Sequence, residues 1–276
     1  MNLLEPILVP FDGSPHAHAA AAHARLIAGR TGARAELVYA STAFGRTAGE
    51  FVAATNEAEA MLEEEAKLFR GPVDTRLLEG RPPEIISAEA ERIHAGLVVL
   101  GTRGRSVAEG LLLGSVARHV LRACTRPVMV VHQPAGLVRR IVVGVDGGPG
   151  NEALVRVARA VADATGAGLT LVNVVDTDPA VARHPRQFGI PEEIFREAVI
   201  AHGENLFRPF RPFAGPDTDE RVVYGLPVDQ LREIARLESA DIVAVCRRGV
   251  SGRDVDAWFS VAFALAIKGP FATLVV

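Results

Sequence analysis

Short apolar runs alternate with longer amphipathic or alanine-rich stretches along the whole chain. Ile7-Leu8-Val9 and Leu97-Val98-Val99-Leu100 are continuous apolar runs, the pattern of a parallel strand covered on both faces. Between them the pattern predicts a helix over 16–29, a strand over 35–40, a helix over 56–69, a strand over 73–78 and a helix over 83–94. Ser14-Pro15 offers an N-cap followed by proline at the first helical position. In 56–69 acids come early and Lys67 and Arg70 late, which suits the helix dipole. Gly114-Ser115 opens a further helix, and 127–132 is a last strand. Strand and helix alternate throughout, so an α/β, doubly wound parallel sheet with right-handed crossovers is expected. Ligands of such sheets sit at the carboxyl ends of the strands, where the strand order reverses.

The pattern is written twice. Ile7-Leu8-Val9-Pro10-Phe11-Asp12-Gly13-Ser14-Pro15 matches Ile141-Val142-Val143-Gly144-Val145-Asp146-Gly147-Gly148-Pro149 at an offset of 134 residues. From Gly80-Arg81-Pro82, matching Gly225-Leu226-Pro227, to the end of the chain the offset is 145. The difference assigns about eleven extra residues to the second copy, and the Pro-, Asp- and His-rich stretch 176–191 is their natural place. The junction falls at 132–139, so two tandem domains are expected, 1–135 and 139–276.

Length agrees, since 276 residues exceed one typical domain. Apolar residues at 49% and charged residues at 23% exclude disorder as the main state. A net charge of −3 gives no nucleic-acid footprint, so no nucleic-acid partner is expected. Cys124 and Cys246 cannot build a disulfide framework, which fits a reducing cytoplasm. The start lacks a basic n-region, and the longest apolar stretch near the end, 257–267, falls short of the roughly 20 residues of a membrane helix. A cytoplasmic protein without a membrane partner is therefore expected.

Two loops at the predicted ligand edge carry the chemistry. One holds Asp12; the other reads Gly101-Thr102-Arg103-Gly104, then nine residues, then Gly114-Ser115. Glycines let a backbone approach a ligand and present its N–H groups, and a helix start offers free donors to an anion. The Ser115 hydroxyl suits a cap or a phosphate, Arg103 and Arg105 add positive charge, and Asp12 suits an adenine amino group or a cation. Taken singly, each feature is also ordinary turn chemistry; their order and spacing are more specific.

The pattern Gly101-x2-Gly104-x9-Gly114-Ser115, with Val116 after it and Pro127-Val128-Met129-Val130-Val131 downstream, resembles the universal stress protein family. Asp12-Gly13-Ser14 and Gly80-x-Pro82 fit it, and the resemblance covers both halves, a tandem form. It implies a five-stranded parallel sheet in each half, of the adenine nucleotide alpha hydrolase-like kind. It implies ATP in the first half, held by Pro10, Asp12, Ala40, Gly101, Arg103, Gly104, Gly114, Ser115 and Val116. Adenine would lie near Asp12 and Ala40, the glycines and Ser115 would hold ribose and phosphates, and Mg2+ would ride on the phosphates. The implied role is in the stress or dormancy response, with at most slow hydrolysis because no positioned general base is visible. A nucleotide-independent interaction scaffold and an adenine-nucleotide enzyme of the same fold are the alternatives. Family dimers pair their last strands. Here 128–131 and 274–276 are expected to pair within one chain, an intrachain pseudo-dimer, with a homodimer as a further possibility.

The second copy departs from the motif. Gly101 becomes Cys246, Gly104 stays Gly249, Gly114 becomes Phe259 and Ser115 stays Ser260, while Asp146 is kept. The bulk of Phe259 and the charges of Asp254 and Asp256 predict that this copy does not hold ATP in the family manner; a remodelled loop with another ligand is the alternative. In the first copy Gly96 stands where the family has an acid, kept as Asp241 in the second. His16, His18 and His23 lack an acid or cysteine at ligand spacing and are set aside as a metal site. His119, one turn beyond Ser115, either approaches a phosphate or is a partly exposed helix residue. Cys124 reads as a small packed hydrophobe, and Cys246 as reactive only if Arg247 and Arg248 activate it.

Overall fold

The computed structural model describes residues 2–42, 47–104, 113–133, 136–175, 187, 189–247 and 255–276, and the backbone alone at 48, 255–260 and 268. Arg105, Arg248, Asp254 and most of 176–191 therefore lie outside the described residues, as do the side chains of Asp256, Phe259 and Ser260. By its internal contacts the chain divides into two units, Met1–Leu137 with Ala266–Val275, and Val138–Leu265 with Val276.

The first unit runs β1 (Ile7–Pro10), α1 (Pro15–Thr31), β2 (Ala35–Ser41), α2 (Ala48–Ala66), β3 (Val73–Glu79), α3 (Pro82–Arg92), β4 (Leu97–Gly101), α4 (Ser115–Ala123) and β5 (Val128–Val131). Five parallel strands lie in the order β3-β2-β1-β4-β5, with Ile7 opposite both Ala35 and Leu97. The order reverses between β1 and β4. The apolar runs β1, β4 and β5 are buried because helices cover both faces. α1 and α2 share one face, where Glu65 accepts from His18 and Arg25; α3 and α4 pack together on the other.

Local chemistry sets the helix ends. The Ser14 hydroxyl accepts from Ala17 N at 3.1 Å, and α1 stops at Gly32 with φ +70°. α2 starts eight residues before the predicted 56, because Thr47 and Glu50 close a reciprocal capping box there. Gly96 has a steric cause: a Cβ would lie 2.5 Å from the Leu3 carbonyl oxygen. At the matching place Asp241 Oδ2 instead accepts from the Arg139 and Arg140 amides, at 2.7 and 3.1 Å.

The second unit runs β6 (Arg140–Gly144), α5 (Asn151–Thr165), β7 (Gly168–Val175), α6 (Glu192–Phe207), α7 (Arg211–Ala214), β8 (Asp219–Tyr224), α8 (Pro227–Leu237) and β9 (Ile242–Val245). Its strands are parallel in the order β9-β6-β7-β8, and Ile141 stands opposite Leu169 and Ile242 in the register of Ile7. Positions with positive φ recur in step between the repeats: Gly13 and Gly147, Gly80 and Gly225, His94 and Ser239. α9 (Val255–Lys268) and β10 (Ala272–Val275) close the second sequence repeat. β10 belongs to the first unit, where it lies antiparallel to β5 with Thr273 opposite Val130 and Val275 opposite Val128. Among the described residues, no helix is long and apolar enough to cross a membrane.

Candidate functional site

Pro10 ends β1, Gly101 ends β4, and Ala40 is the last residue but one of β2. A parallel sheet brings these carboxyl ends to one edge, and a cavity of about 230 Å³ opens there at the switch point. Its lining contains all nine residues of the predicted set: Pro10, Asp12, Ala40, Gly101, Arg103, Gly104, Gly114, Ser115 and Val116. Sequence reasoning missed the apolar wall of Phe11, Val38, Ile86 and Leu100, and the neighbouring Ala17, Tyr39, Pro82, Thr102 and Ala117. The Gly80-x-Pro82 signal marked the first turn of α3, and its position after β3 at the same edge is what brings Pro82 and Ile86 in.

The glycine loop rests on the turn between β1 and α1. Asp12 Oδ1 accepts from Ser14 N at 3.0 Å, and Asp12 Oδ2 lies 2.6 Å from where a Cβ on Gly104 would be. Ser14 Oγ donates to the Arg103 carbonyl at 3.2 Å. Thr102, buried at 1% exposure, donates its amide to Val131 O at 3.1 Å and accepts from Gly114 N at 2.7 Å. His16 Nδ1 lies 3.2 Å from both the Thr102 hydroxyl and the His132 carbonyl oxygen. α4 starts at Gly114, and among the described residues no side chain caps its first amides. Arg103 Nε is buried without a hydrogen-bond partner among the described residues. An orphaned guanidinium donor beside uncapped helix amides fits an anionic group. His132 sits close by; burial above all pushes its imidazole pKa down, and the nearby charges of His16 and Arg103 add to this.

Gly101 needs a different reason from the one its motif suggested. A Cβ there would lie 2.5 Å from the carbonyl carbon and oxygen of His16, so the backbone of α1 itself excludes a side chain. The second repeat solves the same contact in reverse. Cys246 replaces Gly101 and Gly150 replaces His16, and a Cβ on Gly150 would lie 2.4 Å from Cys246 Sγ. Cys246 is a buried packing residue. Asp146 Oδ1 accepts from Gly148 N at 2.9 Å and from Asn151 Nδ2 at 2.7 Å, while Asn151 Oδ1 accepts from Asp146 N at 2.8 Å. The side chains of Phe259, Asp254 and Asp256, on which the expectation for this repeat rests, lie outside the described residues.

The remaining candidates separate. His18 joins Glu65 at 2.9 Å, and His23 Nε2 reaches Gln133 O at 3.2 Å. Among the described residues, no group of three or more His, Cys, Asp or Glu is placed to hold a metal. His119 is exposed, with Nδ1 2.7 Å from the Ser115 carbonyl of its own helix. Cys124 is buried. The most perturbed acid stands away from the cavity, early in β2. Burial, and then the neighbouring Glu89, push the Glu36 pKa up to about 7, while the Arg92 hydrogen bond holds Glu89 down.

Comparison with known proteins bears on this geometry. The sequence model described as the universal stress protein family matches residues 4–132 and again 138–276. A universal stress protein of Methanocaldococcus jannaschii is 34% identical over 144 residues, 48% of this chain and 85% of that protein. A Thermus aquaticus protein described as a universal stress protein is 37% identical over 136 residues, 47% of this chain and 99% of that one. The crystal structure of a universal stress protein from Archaeoglobus fulgidus aligns over 98% of this chain and 97% of its own, with a TM-score of 0.70 and 17% identity, a likeness of fold.

Proposed function

The chain belongs to the universal stress protein family, and from that premise we propose that its first repeat binds an adenine nucleotide, ATP with Mg2+ held through the phosphates, and acts through that occupancy in a stress or dormancy response. The observation that carries the reading is the convergence of four separated stretches, 10–12, 40, 101–104 and 114–116, on one cavity. Val38, Ala40 and Ile86 suit a base and Asp12 its polar edge; Arg103, Ser115 and the α4 amides suit phosphates. Among the described lining residues Asp12 is the one carboxylate, which suits a cation coordinated by phosphate and water more than by the protein. Among its described residues the lining holds no His, Glu or Lys, which favours slow hydrolysis at most.

The second repeat, in this reading, carries the fold without the site. Supporting this, Asn151 Nδ2 donates to the Asp146 carboxylate, whereas Ala17 stands at the matching place of the first repeat.

The test is calorimetric titration of the full chain with ATP and Mg2+, repeated with Gly114→Val. Binding of one nucleotide per chain, abolished by the substitution, is expected. A wild-type chain that takes no adenine nucleotide at millimolar concentration overturns the reading.

A further inference from the structure

We propose that Ser14 and His16 are positioning residues that hold the glycine loop of the first repeat in its anion-binding shape before a ligand arrives, and that their loss disarms the second repeat. The inference deepens the nucleotide reading above and rests on it. Asp12, Ser14 and His16 alternate along the turn into α1, and each meets one residue of the loop: Gly104, Arg103 and Thr102 in turn. A glycine-containing loop loses much conformational freedom when fixed, and anchors made in the free protein remove that cost from binding.

The two latches act differently. Ser14, at 2% exposure, accepts from Ala17 N and donates to Arg103 O, so the hydroxyl that starts α1 also fixes the Arg103 backbone. A carbonyl oxygen only accepts, so the contact of His16 Nδ1 with His132 O places the proton on Nδ1, shared with Thr102 Oγ1. Thr102 in turn accepts from Gly114 N, the cap of α4. His16 therefore acts on the helix start through Thr102, joining both halves of the cradle.

The second repeat is a natural control. At the offset of 134 residues Ser14 becomes Gly148 and His16 becomes Gly150, and Thr102 becomes Arg247 at the offset of 145. Neither glycine has a side chain to offer the loop. Asp146, the one rung retained, keeps the turn bond that Asp12 makes to the amide two residues on and gains a second from Asn151 Nδ2.

The experiment compares the full-length wild type with His16→Ala, His16→Asn and Ser14→Gly/His16→Gly. Amide hydrogen exchange is read at Thr102 and Gly114 without nucleotide, and ATP–Mg2+ affinity by calorimetry. His16→Ala is expected to speed both amides and weaken ATP about tenfold, on the scale of one lost hydrogen bond. His16→Asn, whose amide N–H stands in for Nδ1–H, restores both. The double glycine variant weakens ATP about a hundredfold. Unchanged exchange at Gly114 in His16→Ala overturns the proposal, as does faster exchange with full affinity, or a loss that asparagine does not rescue. If the wild type binds no ATP, the nucleotide reading falls, and exchange in the ligand-free chain still decides whether His16 holds the loop.

Discussion

The exchange of Gly101 and His16 for Cys246 and Gly150 predicts a coupling that a double-mutant cycle can measure. Gly150→Ala puts a carbon 2.4 Å from Cys246 Sγ, where contacts between such atoms relax at about 3.5–4 Å. One partner must move by more than about 1 Å inside a packed region, an overpacking of about 1–3 kcal/mol. Gly150 has φ −82° and ψ −9°, so alanine fits the backbone and recovers about 0.4–1 kcal/mol from the unfolded state. The net loss is therefore up to about 2.5 kcal/mol, a fall in melting temperature of up to about 10 °C. Cys246→Ala removes the sulfur, and in that background Gly150→Ala is expected to be neutral or stabilising. Thermal melts by circular dichroism on the four proteins give the coupling, expected to equal the overpacking term, about 1–3 kcal/mol. Additive effects would falsify the swap. Gly101→Ala supplies the contrast. It meets backbone atoms of His16, which no side-chain truncation at 16 removes, so His16→Gly does not rescue it.

Two further outcomes follow from buried polar groups. Glu36 has a folded-state pKa of about 7 against 4.5 for an unperturbed glutamate, so it stabilises fully below about pH 4.5 and loses that contribution as pH rises through 7. Melts of wild type and Glu36→Gln at pH 5 and pH 8 should therefore show the balance moving toward the variant by up to roughly 3 kcal/mol, and a constant difference rejects the assignment. Asn151→Ala removes both hydrogen bonds to Asp146 at a fully buried position and should destabilise the second unit by about 1–3 kcal/mol, seen as faster exchange in α5, with ATP affinity unchanged.

The repeat and the alternation of strand and helix were legible because a doubly covered strand must be apolar throughout, and Ile7–Val9, Leu97–Leu100 and their counterparts are. The cavity lining was legible where glycine, proline or a helix start marked it. The start of α2 was missed because Thr47 and Glu50 identify a capping box only as a pair. The real constraint on Gly101 lies in a backbone 85 residues earlier in the chain, and spacing within the motif carries no trace of it. The same holds for His16. It is a histidine in an alanine-rich helix with no ligand-spaced acid or cysteine to signal its task, and its contacts at Thr102 and His132 appear only once the strands are aligned.

The membership of β10 in the first unit bears on synthesis. A ribosome makes β5 early and residues 272–275 only as the last strand of the second repeat, so the nascent β5 waits with its edge uncovered. An open strand edge invites pairing with any other extended chain. Until Thr273, Leu274 and Val275 arrive, the newborn polypeptide depends on shielding by other means, and a stalled or truncated product would keep that adhesive edge for its lifetime.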